Sequence, residues 1–261
     1  IAGSDVSFKD DWWRDLDDTP NSGTNCTADS LASSLKLCLP LHGSDYADVN
    51  PVNRSSSNIT KDGDSDVTYE QPVSPFYATS CKFDGHAGST KAYIGLGGHS
   101  SLNFTESSTF CIETWVWLED IDRYYIFTNY NYENGWTEKG YIFGFDTSGY
   151  LYMKNQSNGS EATSNVVVPT KEWVHVACTN DGTSIRLFQN GALVETHTSW
   201  GDPGYSSNKA CIGGLYYYSG YQQSENFKGY MSDLRVYSGV SKYTSAFTVP
   251  KRPKLNSWKS F

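Results

Sequence analysis

Apolar and polar residues alternate over short stretches of this chain, and turn-forming pairs separate the stretches. Trp173-Val174-His175-Val176-Ala177-Cys178-Thr179 is rich in β-branched and aromatic residues, which suit a pleated, half-buried surface. Asp181-Gly182 follows, a pair that tolerates positive φ. Ser184 to Gln189 reads as the next strand, Asn190-Gly191 as a second tight turn, and Ala192 to His197 as a third strand. The pattern predicts an antiparallel meander. Upstream, Tyr141 to Phe145 and Tyr150 to Lys154 flank Asp146-Thr147-Ser148-Gly149 and predict a hairpin with a longer loop. Phe110 to Leu118 and Phe227 to Tyr237 read as long strands, and Gly229 in the second marks a bulge or a close approach. Leu35 to Leu41 alternates as a first strand, while residues 42–70, rich in Asp, Asn and Ser, read as loop. Helical periodicity is missing from every window of ten or more residues. The expected fold class is therefore all-β, a sandwich or barrel of many short strands.

The two ends have a different character. Residues 1–35 are polar and acidic, with Asp10, Asp11, Asp15, Asp17 and Asp18 around Trp12-Trp13. Adjacent tryptophans in a polar arm imply docking, either onto the chain's own body or onto a partner, because such rings are enriched in interface cores. Residues 251–261 form a short basic tail. The expected organisation is an arm over 1–35, a sandwich over 36–250 and a tail over 251–261. The chain opens on Ile1 rather than Met, as expected for a processed or trimmed N-terminus or for a sequence that starts at an internal residue.

Composition narrows the function classes. Aromatic residues make up 15% of the 261 positions and charged residues only 19%, which excludes a disordered chain. A net charge of −9 speaks against phosphate-backbone binding, so no nucleic acid partner is expected. Apolar runs fall short of the roughly 18 residues that span a bilayer, so no membrane insertion is expected. The six cysteines, Cys26, Cys38, Cys81, Cys111, Cys178 and Cys211, form no Cys-x-x-Cys pair, which disfavours a zinc ribbon or a thioredoxin-type site. Cys111, Cys178 and Cys211 lie in apolar runs and are expected to be buried thiols, with disulfide pairing left open. Sequons at Asn25, Asn53, Asn58, Asn103, Asn155 and Asn158 are expected to arise by chance in a chain rich in Asn, Ser and Thr.

Several segments in order carry a family resemblance. They are Lys82-Phe83-Asp84-Gly85, Phe110 to Val116, Trp173 to Ala177, Leu187-Phe188-Gln189-Asn190-Gly191, Ile212-Gly213-Gly214 and Phe227 to Val236. The set resembles the laminin-G-like branch of the concanavalin A-like lectin/glucanase superfamily over about residues 36–250. The resemblance implies a two-sheet antiparallel jelly-roll sandwich. A narrower likeness rests on Leu37-Cys38-Leu39-Pro40-Leu41, the loop from Asp48 to Asn53, and Ser241 to Pro250. These segments resemble domains of virion proteins of marine tailed phages, including those of cyanobacteria. That likeness implies a structural protein on an appendage, decoration or tail.

The superfamily includes glucanases, whose chemistry depends on paired carboxylates. Retaining chemistry needs two carboxyl groups about 5–5.5 Å apart, supplied on one strand face by a motif such as Glu-x-Asp-x-x-Glu. No such motif occurs. Glu119-Asp120-Ile121-Asp122 has the wrong order and reads as a solvated turn, and Glu113 has no carboxylate two or four positions away. A Gly-x-Ser-x-Gly elbow is missing, and His42, His86, His99, His175 and His197 are scattered. The chain is expected not to be an enzyme.

Calcium is the ion its oxygen-rich loops suit. Asp62-Gly63-Asp64-Ser65-Asp66 starts like a calcium loop but fails at Val67 and Val73. The family resemblance implies a second candidate, a structural calcium ion near Asp84 and Asp233, with a turn cap or an ion pair to Arg235 as the open alternative. Aromatic residues crowd loop-like segments, at Tyr124, Tyr125, Tyr130, Tyr132 and Trp136, then Trp200, Tyr205, Tyr216, Tyr217, Tyr218 and Tyr221. From these, Tyr130, Tyr132, Trp136, Trp200, Tyr205, Tyr216, Tyr217 and Tyr218 are the candidate contacts to a glycan or a partner. Plain packing of the same rings stays open.

The expected function is a non-enzymatic phage virion structural protein displaying a lectin-like sandwich, for particle decoration or host-surface adhesion. Its expected partners are other virion proteins in a symmetric assembly and a host-surface glycan, and its expected location is the virion. The alternative is an extracellular or cell-surface carbohydrate-binding module.

Overall fold

The computed structural model describes residues 31–39, 41, 59–60, 67–70, 80–85, 92–96, 100–131, 139–204, 210–215 and 225–249. Trp12 and Trp13 of the arm, the tail, and the candidate contacts Tyr132, Trp136, Tyr205, Tyr216, Tyr217 and Tyr218 lie outside the described residues.

The strands are β1 (Leu35–Leu39), β2 (Ile59–Thr60), β3 (Val67–Glu70), β4 (Ser80–Asp84) and β5 (Ile94–Leu96). The middle of the chain adds β6 (Thr109–Leu118), β7 (Tyr124–Asn131), β8 (Lys139–Phe145), β9 (Tyr150–Asn155) and β10 (Glu161–Val167). The remainder gives β11 (Trp173–Asp181), β12 (Ser184–Gln189), β13 (Ala192–Thr198), β14 (Ala210–Ile212) and β15 (Lys228–Ser238). They form two antiparallel sheets. The first runs β13-β12-β11-β6-β15-β4-β3, with β1 also on β15; the second runs β10-β9-β8-β7-β14-β5-β2. β6 takes one side of β15, so the other side is divided: β4 pairs with Lys228–Met231 and β1 with Leu234–Tyr237.

Alternation along the strands builds the core between the sheets. Ile112, Val116 and Leu118 of β6 face Ile126 and Phe127 of β7 and Phe143 and Phe145 of β8 in one apolar cluster. Phe104, Phe110 and Tyr141 stack at its centre, with Phe104 and Phe110 ring centroids 4.3 Å apart. The Tyr141 hydroxyl, carried into this apolar layer, donates to the Leu102 carbonyl at 2.8 Å. A buried hydroxyl needs such a partner, because leaving it unmatched costs roughly 1–3 kcal/mol.

The meander from β11 to β13 forms as its turn chemistry predicts. Asn190 and Gly191 both take positive φ, 49° and 78°, the pair that a tight hairpin requires. The Asp181 carboxylate accepts the backbone N–H groups of Thr183 and Ser184 and pairs with Arg186 at 2.6 Å.

Two sequence expectations need correction. The span 42–70 is not all loop, since β2 and β3 lie within it. Short strands of two and four residues carry too little alternation to stand out from a polar background. Tyr124, Tyr125 and Tyr130 are not on a loop either: they belong to β7. Thr128 and Asn129 interrupt the apolar alternation of that strand, and both point to polar partners inside the fold.

After β15, residues 239–249 run back across the outer face of the first sheet. Gly239 N–H donates to Thr109, Thr179 Oγ1 to the Tyr243 carbonyl, and Phe247 N–H to Gly191. This strap shields a face that would otherwise meet solvent.

Candidate functional site

At one end of the sandwich three segments converge. The β6–β7 connection brings Glu119-Asp120-Ile121-Asp122, the end of β4 brings Asp84-Gly85, and the approach to β15 brings Asn226-Phe227-Lys228. Backbone hydrogen bonds fix their relative positions: Gly85 N–H to Phe227, Glu119 N–H to Lys228, Tyr125 N–H to Glu225 and Phe227 N–H to Gly213. Between them lies a cleft of about 350 Å³ lined by Gly85, Asp120, Ile121, Asp122, Tyr124, Asn226 and Lys228. That size falls at the lower end of the roughly 300–1,000 Å³ range of small-molecule sites.

The cleft is polar, and its lining cation is paired with carboxylates. Lys228 Nζ lies 2.6 Å from Asp120 Oδ2 and 3.8 Å from Glu119 Oε2. The Tyr124 hydroxyl donates to the other Asp120 oxygen. Partial burial would raise the Asp120 carboxyl, but its bonds from Lys228 and Tyr124 prevail and hold it below the usual carboxylate range. The same contacts raise the Lys228 ammonium, through its bond to Asp120 first. Burial and the neighbouring Asp120 push the Tyr124 phenol well up, so it stays a donor. An ionised carboxylate has about four acceptor positions and Asp120 uses two of them, which leaves acceptor capacity toward the cleft.

Asn226 is the unusual member. It is 3% exposed, and its Nδ2 has no hydrogen-bond partner among the described residues. Its Oδ1 lies against Gly214, where an added Cβ would sit 2.8 Å away. A buried amide donor without a partner is rare, because its desolvation is uncompensated. Here it lines a cleft that also holds Asp120, Asp122 and Lys228.

A second polar cluster lies under the strap. Glu113, 4% exposed, receives Lys242 Nζ at 2.6 Å and the Tyr243 hydroxyl at 2.7 Å, with His175 Nε2 at 3.4 Å. Burial would raise this carboxyl, but Lys242 and His175 hold it well below the ordinary range. Asp233 lies close enough on β15 for the two negative charges to interact. Burial pushes Asp233 up to about 6, with Arg235 opposing and Glu113 adding to the rise. The structure thus brings together two carboxylates that spacing along one strand could not reveal, but both are buried and engaged inside the fold.

The expected site residues are distributed as follows. Tyr130 and Trp200 are buried, 6% and 4% exposed, rather than displayed on loops. Trp200 packs against Phe110 and Tyr141 in the core, and Tyr130 joins Tyr125, Ile142, Tyr152 and Leu215 in a cluster on the second sheet. Asp84 and Asp233 do not fit a shared calcium site. Asp84 is paired in register with Lys228, five positions before Asp233 on β15, a separation on the order of 15 Å along a strand. Asp84 instead meets Lys82 at 2.9 Å, and Asp233 meets Arg235 at 3.0 Å. Asp233 sits at φ 55° where the β6 register slips between Ser232 and Arg235, a bulge that turns its side chain to Arg235. Among the described residues no three His, Cys, Asp or Glu side chains converge as a metal site. The expectation of a solvated turn at residues 119–122 holds for its exposure, since the Asp120 side chain is 50% exposed, but misses its place in a cleft. Sequence reading passed over Asn226 and Lys228, because only the register Lys228↔Asp84 and Gly229↔Leu118 brings them to that turn.

The two stacked antiparallel sheets and a rim cleft define a lectin-like sandwich. The family model described as Concanavalin A-like lectin/glucanases superfamily matches residues 88–242, and the chain belongs to that family. No curated protein matches the chain. Among solved structures, the binding domain of Paraclostridial Mosquitocidal Protein 1 is similar with a TM-score of 0.60 and 13% identity, over 82% of this chain and 50% of that one. Domain 4 of AbnA, a GH43 extracellular arabinanase from Geobacillus stearothermophilus solved with arabinotriose, gives 0.53 and 17%, over 80% and 94%. The botulinum neurotoxin serotype C1 binding domain gives 0.56 and 17%, over 79% and 49%. The chain spans about half the length of the two toxin binding domains, and the likeness in each case is one of fold.

Proposed function

We propose that the chain is a non-enzymatic glycan-binding sandwich, and that it is displayed on a phage particle for decoration or for adhesion to the host surface. The observation that carries the glycan reading is the buried, unmatched Asn226 amide in a cleft with Asp120, Asp122 and Lys228. A saccharide diol supplies what that cleft lacks: a hydroxyl oxygen to accept from the amide and hydroxyl protons to donate to the carboxylates. The similar arabinanase domain was solved with arabinotriose, and a similar neurotoxin structure concerns interaction with ganglioside molecules, which supports a sugar as the ligand class.

The non-catalytic reading rests on Glu113 and Asp233. Glycoside cleavage needs one carboxyl to protonate the leaving oxygen and a second to attack or activate water at the anomeric carbon. Glu113 is held ionised by Lys242 and His175 and lies beneath the strap, out of reach of a sugar. In the cleft, Asp120 is held ionised as well. Neither can serve as the proton donor, and Asp233, raised to about 6, is 2% exposed and paired with Arg235 inside the fold, where a sugar does not reach it.

The virion reading rests on the likeness of residues 37–41, 48–53 and 241–250 to phage appendage domains, with Trp12 and Trp13 as the docking contact to neighbouring subunits in a symmetric assembly. The alternative, an extracellular carbohydrate-binding module, is favoured by the similar domain of an extracellular arabinanase. A glycan array run at high protein concentration tests the shared part: several reproducible glycan signals are expected, and a blank array overturns it. Peptide mapping of purified particles, with wild-type and Trp12→Ala/Trp13→Ala chains, separates the two readings. Incorporation of the wild type and its loss in the variant are expected on the particle; absence of the wild type from particles leaves the extracellular module.

A further inference from the structure

Beside the polar cleft lies an aliphatic shelf. Ile121 and Val167 are 37% and 47% exposed, unusual for large apolar side chains. They meet over Gly149: a Cβ placed on that glycine would lie 2.8 Å from Ile121 Cδ1 and 3.2 Å from Val167 Cγ1. Gly149 takes φ 80° in the β8–β9 turn, and its N–H donates to Asp146, so this position stays bare and the two side chains close over it. Ile121 also lines the cleft, between Asp120 and Asp122. The shelf and the polar groups therefore form one continuous surface.

The charges of this surface have a consequence for the ligand. Lys228, the one cation lining the cleft among the described residues, is already neutralised by Asp120 and Glu119. Asp122 adds a further negative charge, and its Oδ1 accepts the Arg123 N–H. An anionic sugar would meet the carboxylates of Glu119, Asp120 and Asp122, three negative charges against the paired Lys228 and against Lys171, which acts on Asp120. Like charges repel most strongly where water is partly excluded. An uncharged sugar meets no such cost and satisfies Asn226.

We infer that the cleft selects a neutral sugar carrying a methyl group, a 6-deoxyhexose, with its hydroxyls on Asp120 and Asn226 and its methyl on the Ile121–Val167 shelf. This rests on the glycan-binding reading above and adds the substrate class. An aliphatic shelf suits a methyl group, whereas the hydroxymethyl group of the parent hexose would lose hydration of its hydroxyl there without a partner. Burial of one such carbon amounts to about a fourfold gain in affinity.

The test is titration calorimetry of the full chain with L-fucose, L-galactose, L-rhamnose, L-mannose and D-galacturonate. Each deoxy sugar is compared with the parent that differs by one hydroxyl. At least about fourfold tighter binding of one deoxy sugar than of its parent is expected, with no binding of galacturonate. Ile121→Ser, at an exposed position where folding is not at stake, is expected to bring that pair to equal affinity. Equal affinities in the wild-type chain, or preference for galacturonate, overturn this inference and leave glycan binding intact. An unchanged preference in Ile121→Ser overturns the role of the shelf. Failure of all five sugars, together with a blank glycan array, overturns both readings.

Discussion

Lys242 closes onto Glu113 across 129 positions of sequence, its Nζ 2.6 Å from Oε1. The pair ties the strap to the middle of the first sheet. Tyr243 adds its hydroxyl to the same carboxylate and stacks on Phe247 with ring centroids 3.6 Å apart. A buried pair of this kind is not a large net gain over an apolar replacement, but breaking it strands a charge. Lys242→Met should therefore destabilise the protein by about 3 kcal/mol, because Glu113 stays buried without its cation. Glu113→Gln combined with Lys242→Met should recover part of that loss. Urea denaturation of the three variants checks both statements, and a loss below about 1 kcal/mol for Lys242→Met would show the strap to be held by its rings alone.

Glu113 and Asp233 pull stability in opposite directions with pH. The Glu113 carboxyl is depressed in the folded state, so its contribution is complete above the ordinary glutamate value of about 4.3 and is lost as pH falls below it. Asp233 is raised to about 6, so its ionised form is disfavoured by folding. That penalty is present above pH 6 and is relieved as pH falls through 6 toward the ordinary aspartate value of about 3.9. Thermal melts should show Tm rising from pH 7.5 to about 5 and falling below about 4. Asp233→Asn, which keeps an acceptor for Arg235 and tolerates the positive φ, should flatten the rise and leave the acid limb.

Gly229 controls how closely β15 can approach β6. It lies at φ 140°, and a Cβ there would sit 2.1 Å from the Trp117 carbonyl oxygen. Gly229→Ala should cost at least about 2 kcal/mol through overpacking and backbone strain. Because the residue follows Lys228, the variant should also lose ligand binding at the cleft. Chemical denaturation and calorimetry on the same sample check the two effects.

The strands with strong alternation and written-out turns were legible in the sequence. β6, β8, β9, β11, β12, β13 and β15 are found within a residue or two of where the pattern put them, and β1 ends two residues early. Asn190-Gly191 needed only its own φ preferences to be read. β2, β5 and β14, of two or three residues, owe their pairing to neighbours that periodicity does not report. β7 was hidden by Thr128 and Asn129, which satisfy partners 86 and 27 positions away. The cleft was illegible for the same reason: Asp120 and Lys228 are separated by 108 positions, and only the β6–β15 pairing joins them. Aromatic count misled at Tyr130 and Trp200, because ring content does not distinguish a displayed ring from one folded inward.

Asn226 separates a structural role from a ligand-binding one. A buried amide that held the fold together would be costly to remove, by about 1–3 kcal/mol for each partner left unmatched. Its Nδ2 has no partner among the described residues, so truncation strands nothing on that side and removes an unmatched donor. The small cavity left by Asn226→Ala offsets that relief. Asn226→Ala should accordingly shift the unfolding free energy by less than about 1 kcal/mol while weakening glycan binding at least about tenfold, the loss of one hydrogen bond in a partly dry site. Asp120→Ala should weaken binding as well, and it should also release Lys228 and lower the selectivity against acidic sugars. Urea midpoints measured beside calorimetric affinities decide the matter: a strongly destabilised Asn226→Ala chain with unchanged affinity would make the amide a structural element and move the ligand site elsewhere.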